Sequence, residues 1–135
     1  MNIQAILLYL ILFTFTIYAF LSTHASELET ISIGMTMIKY MILTAFVLFT
    51  LYTIYVTTRE NLFKSVKRMF DFRWGRQIIL DLYLGLFLFG FVVYLVEKTF
   101  LITLLWLSLA IIFGNIISLL YFASQFDRIL VFFYQ

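Results

Sequence analysis

Apolar residues run almost unbroken through four stretches of this chain, at 3–21, 33–57, 77–96 and 100–122. A hydrocarbon core takes about 20 helical residues to cross, so each stretch is predicted to be a transmembrane helix. Barrel strands would alternate apolar and polar side chains at period two, and these runs do not. Between the second and third stretches the pattern changes. Leu62, Phe63, Val66, Met69 and Phe70 recur at helical spacing, with Lys64, Lys67, Arg68 and Asp71 on the other side. That pattern predicts a short basic amphipathic helix lying among lipid headgroups. The expected fold is therefore all-α and a single domain, residues 1–135. Its four transmembrane helices form two antiparallel hairpins, joined by the connector 58–76 and followed by a tail, 123–135.

Composition sharpens the class. Apolar residues make up 64% of the chain and charged residues 12%, against about 25% charged in soluble domains. A small water-soluble domain could not hide that much apolar surface. The first stretch has one mark of a signal peptide, Thr23-His24-Ala25 as a small-residue cleavage site. It carries no Lys or Arg before it and is longer than a typical signal core, so it is expected to stay as a helix. Cysteine is absent, which excludes disulfides, thiolate metal sites and cysteine nucleophiles. Proline is absent too, and the smooth helices this predicts lower the prior for an interrupted-helix transporter.

Charge then orients the chain. Arg59, Lys64, Lys67, Arg68, Arg73 and Arg76 sit in one connector against Glu60 and Asp71. The positive-inside bias makes that connector cytoplasmic, and four crossings would put both ends of the chain with it. A bacterial cytoplasmic membrane is the default setting, an organelle membrane the alternative. Lys64, Lys67, Arg68, Arg73, Trp74 and Arg76 are expected to touch anionic headgroups, at about 1 kcal/mol per basic residue.

Candidate chemistry is sparse. Asp81 lies inside the third stretch, where ionisable groups are functional hypotheses by default; Arg59, Arg73 and Arg76 are its candidate partners. Pairing the third and fourth stretches about the turn at Lys98-Thr99 puts residues at equal depth when their numbers sum to 197–199. Asp81 then faces Ser118, and Gly85 faces Gly114. This predicts a polar cluster of Asp81, Tyr83, Asn115, Ser118 and Tyr121, with Gly85, Gly90 and Gly114 allowing close helix packing. On the outer side Lys39 and Glu97 share a depth and are expected to form an ion pair. His24 with Glu27 and Glu29 is a weak metal signature, and no cofactor is expected.

Part of the chain resembles a family of small, uncharacterised bacterial multi-pass membrane proteins. The residues that carry it are Trp74-Gly75-Arg76, Asp81-Leu82-Tyr83-Leu84-Gly85, Glu97, Trp106, Gly114-Asn115 and Tyr121, within about residues 71–122. The resemblance implies no reaction, substrate or cofactor. It does imply that Asp81, Gly85, Glu97 and Asn115 are better mutation targets than their neighbours.

These observations leave three function classes. The first is an accessory, scaffold or lipid-interacting membrane component, whose partners are the bilayer, anionic lipid, and another membrane protein or a second copy. The second is part of a transporter, channel or proton relay using Asp81 and Asn115 in an oligomer. The third, a lipid-headgroup enzyme, lacks paired carboxylates or a histidine at the right depth, so no enzyme is expected. No nucleic-acid partner is expected either.

Overall fold

A long apolar run favours a helix, which satisfies every backbone N–H and C=O internally, as a lipid surrounding would require. The computed structural model describes residues 3–21 and 33–134. Among them are seven helices and no strands: α1 (Ile3–Leu21), α2 (Ile33–Arg59), α3 (Leu62–Phe70), α4 (Arg73–Glu97), α5 (Phe100–Phe113), α6 (Asn115–Ser124) and α7 (Phe126–Tyr134). Two helices, α2 and α4, are long and apolar enough to cross a membrane; α6 and α7 together reach that length but are bent by 73°. At 1.5 Å per residue α2 spans about 40 Å and α4 about 37 Å, more than the roughly 30 Å of hydrocarbon.

The turn between α4 and α5 is as short as the sequence indicates. Lys98 adopts the left-handed conformation (φ 53°) and its N–H closes on the Tyr94 carbonyl at 2.9 Å. Close packing of the two helices comes at Gly90, where an added Cβ would sit 3.1 Å from the Leu107 side chain.

The fourth apolar stretch does not continue as one helix. It breaks at Gly114, whose φ of +62° and ψ of −143° end α5. Two contacts fix the course of the chain beyond that glycine. The rings of Trp106 and Tyr121 stack edge to face at 4.9 Å between centroids, although fifteen residues of continuous helix would separate them by about 22 Å. The Tyr121 hydroxyl also donates to Glu97 Oε1 at 3.3 Å, back beyond the start of α5. Helix α6 therefore returns alongside α5. The pair enters from the Glu97 end and turns after about 21 Å of α5. The single helix expected over 100–122 is thus replaced by a helical hairpin whose two ends both lie toward Glu97.

Helix α6 is the best-buried element. Ile117, Leu120 and Tyr121 are fully enclosed, against Leu86, Phe89 and Val93 of α4, Trp106 and Ala110 of α5, Leu12 of α1 and Phe46 of α2. By contrast α1, α2 and α4 turn most of their Leu, Ile, Phe and Tyr side chains outward. Such a surface suits lipid, in which apolar exposure carries no penalty.

Glycine at 114 is required by its backbone and not by space, since nothing lies within 4 Å of an added Cβ there. Gly114→Ala is expected to lower stability by about 1–3 kcal/mol through the positive φ alone. Gly85 is helical with equally open surroundings, so Gly85→Ala should be neutral or stabilising, by up to about 1 kcal/mol of helix propensity. Unfolding both variants in detergent micelles checks the contrast.

Candidate functional site

Because α6 turns back, α7 closes over the end of the bundle that carries Lys39 and Glu97. Asp127 and Arg128, adjacent in α7, each reach a different long helix. Lys39 Nζ donates to Asp127 Oδ2 at 2.7 Å, tying α7 to α2. Arg128 Nη1 donates to both Glu97 oxygens, at 3.0 and 3.2 Å, tying α7 to α4. Tyr121 gives Glu97 a third hydrogen bond, and the Gln125 side-chain oxygen accepts from Arg128 at 3.4 Å. The Glu97 side chain is only 5% exposed, whereas Arg128 retains 37%. A buried carboxylate needs such compensation, and here it receives a cation and a hydroxyl together. Phe126 and Ile129 bury the apolar side of α7.

This arrangement corrects two expectations. Lys39 and Glu97 do not pair with each other, because α7 supplies a partner to each. The tail also does not share an end with the basic connector. Lys39 lies near the start of α2 and Arg59 at its finish, and Glu97 likewise lies at the opposite end of α4 from Arg73. The Asp127–Arg128 pair therefore sits at the far end of the molecule from α3.

The polar cluster expected around Asp81 is not assembled. Asp81, Tyr83 and Asn115 are exposed, Tyr121 is buried but turned toward Glu97, and the Ser118 hydroxyl is buried without a partner. Equal-depth counting between α4 and the fourth stretch holds only up to Phe113; beyond Gly114 the chain reverses, and Ser118 and Tyr121 move toward the Glu97 end. Among the described residues Asp81 has no ion pair, so Arg59, Arg73 and Arg76 do not serve as its counter-charge. Of the three candidate packing glycines, Gly90 alone meets a neighbouring helix; Gly85 and Gly114 face open space.

At the other end, α3 forms as its periodicity indicates. Asn61 precedes it and its side-chain oxygen accepts from the Lys64 N–H at 3.4 Å, a helix-start contact; the Ser65 hydroxyl donates to Glu60 at 3.0 Å. Gly75 is what lets α4 start against α3, since an added Cβ would collide with the Met69 carbonyl. Lys64, Lys67, Arg68, Arg73 and Arg76 are all exposed, as are Val66, Phe70, Phe72 and Trp74, with Trp74 at 76%.

His24, Glu27 and Glu29 fall outside the described residues. Among the described residues no three His, Asp or Glu side chains converge as metal ligands. Sequence reasoning gave no role to Asp127, Arg128 or Gln125, and met Gly75 only within the resemblance. The signal that could have found them was an Asp-Arg dipeptide in an apolar tail and a glycine beside the connector's tryptophan. No protein-family model, curated protein or solved structure matches this chain.

Proposed function

We propose that this chain is an integral membrane component that works by association, as an accessory, scaffold or lipid-engaging subunit. Helices α2 and α4 cross the bilayer, the shorter α1 crosses beside them as 19 uncharged residues, about 28 Å, the α5–α6 hairpin re-enters from the Glu97 side, and α7 lies across that side. The basic connector faces the cytoplasm, of a bacterial cell by default, because its six Lys and Arg residues are the strongest charge bias in the chain. The observation that carries the reading is α3 with its flank. An exposed basic row and exposed Val66, Phe70, Phe72 and Trp74 occur together on a helix whose packing partner is α4. Apolar side chains enter the acyl boundary while ammonium and guanidinium groups meet phosphates.

The expected result is selective enrichment of phosphatidylglycerol around the reconstituted protein in nanodiscs of mixed phosphatidylcholine and phosphatidylglycerol. Replacing Lys64, Lys67 and Arg68 by Gln should remove about 3 kcal/mol of that attraction, at about 1 kcal/mol per residue. Native mass spectrometry of retained lipid reads it; unchanged enrichment would count against headgroup engagement.

A second reading, a subunit of a transporter, channel or proton relay, draws support from the interruption at Gly114, since transport folds use broken helices near the midplane. Asp81 and Asn115 point outward from a single copy, so that reading requires an oligomer closing around them.

A further inference from the structure

Asp81 lies about 12 Å along α4 from Arg73, at 1.5 Å per residue, inside a 25-residue apolar helix. Its carboxylate is exposed and has neither an ion pair nor a hydrogen bond among the described residues. Gln77 and Gly85, one turn to either side on the same face, are exposed as well, and the space over Gly85 is open. That stripe is centred about 110° around the helix from the buried face of α4, which carries Leu86, Phe89 and Val93. An ionisable group turned toward hydrocarbon is costly unless another group compensates it, and the described residues supply none.

We propose that the Gln77–Asp81–Gly85 face of α4 is the docking surface for a transmembrane helix of another membrane protein, one that carries a Lys or Arg at the depth of Asp81. This rests on the proposed crossing of α4. Charge selects the occupant. A second copy related by a two-fold axis would bring two Asp81 carboxylates to one depth, where like charges oppose each other. A basic helix instead places a cation there, while Gly85 lets its backbone approach and Gln77 offers an amide one turn away.

The test uses full-length protein reconstituted with a labelled leucine-rich transmembrane peptide that carries one Lys at the depth of Asp81. Association is read by energy transfer against the same peptide with Leu at that position. The expected result is about tenfold tighter association of the Lys peptide, the scale of one polar contact in a membrane. Asp81→Asn should remove the preference, and Gly85→Leu should weaken association of both peptides. Because Asp81 has no partner among the described residues, Asp81→Asn should leave the melting temperature unchanged. Equal association of the two peptides, or a preference that survives Asp81→Asn, overturns the proposal. So does energy transfer between labelled copies of the protein that falls on Asp81→Asn, since the occupant is then a second copy. A Leu84→Cys variant separates this inference from the reading beneath it. Labelling by a lipid-soluble but not a water-soluble maleimide, with no Lys preference, sinks only the docking surface. Ready labelling by the water-soluble reagent sinks the crossing of α4 itself.

Discussion

Tyr121→Ala is expected to destabilise the protein by about 3 kcal/mol, the lower end of the range for removing a large buried aromatic. The ring is completely enclosed and meets Trp106, Phe89 and Phe122 edge-on, at 4.9 to 6.1 Å. Its removal leaves a cavity where α4, α5 and α6 converge. The lower end applies because lipid, unlike water, already solvates an exposed aromatic well, so the loss is mostly of packing. Tyr121→Phe keeps the ring and loses only the bond to Glu97, which retains Arg128; about 1 kcal/mol is expected. Unfolding in mixed micelles should rank wild type, Tyr121→Phe and Tyr121→Ala in that order.

Arg128→Ala should cost about 2–3 kcal/mol, less than the roughly 3–5 kcal/mol of breaking a fully buried pair. The cost arises from what is left behind, a carboxylate at Glu97 that is 5% exposed and has lost its cation. Arg128 is itself 37% exposed, and that partial solvation lowers the figure. The double exchange Glu97→Arg with Arg128→Glu restores opposite charges across α4 and α7, and should recover more stability than either single exchange retains. A melting series over the wild type, two singles and the double measures the coupling directly. Additive losses would mean that the pair does not hold α7 in place.

How much of the fold and site was legible in the sequence depends on the kind of signal. Uninterrupted apolar runs make helices under any packing, so residues 3–21 and 33–57 are helical as the hydropathy indicates. The helical period around Val66 and Phe70 likewise sufficed for α3. Gly114 was different. A glycine in a continuous apolar run has the same composition whether the helix runs on or turns back; only the positive φ at that residue decides. Once the chain reverses there, every depth assigned beyond it changes. This is why Ser118 and Tyr121 parted from Asp81, and why Asp127 and Arg128 arrived at Lys39 and Glu97. Depth alone pairs Lys39 with Glu97 and gives Asp127 and Arg128 no partner, since 88 and 31 residues separate the groups that the fold brings together. Asp81 was legible as an ionisable group in an apolar span, but its outward direction was not, since that depends on which face of α4 the hairpin covers.

The reversal at Gly114 puts α7 at the opposite end of α2 and α4 from α3; with the proposed crossings those ends lie on opposite sides of the membrane. The chain has no cysteine, so single-cysteine variants can be read without background. Lys67→Cys in α3 and Phe133→Cys in α7 are both at exposed positions. With a membrane-impermeant maleimide on intact cells, Phe133→Cys should label at once and Lys67→Cys only after lysis. Labelling of both positions from the same side would mean that residues 100–122 cross the membrane as one span, and would contradict the re-entrant hairpin.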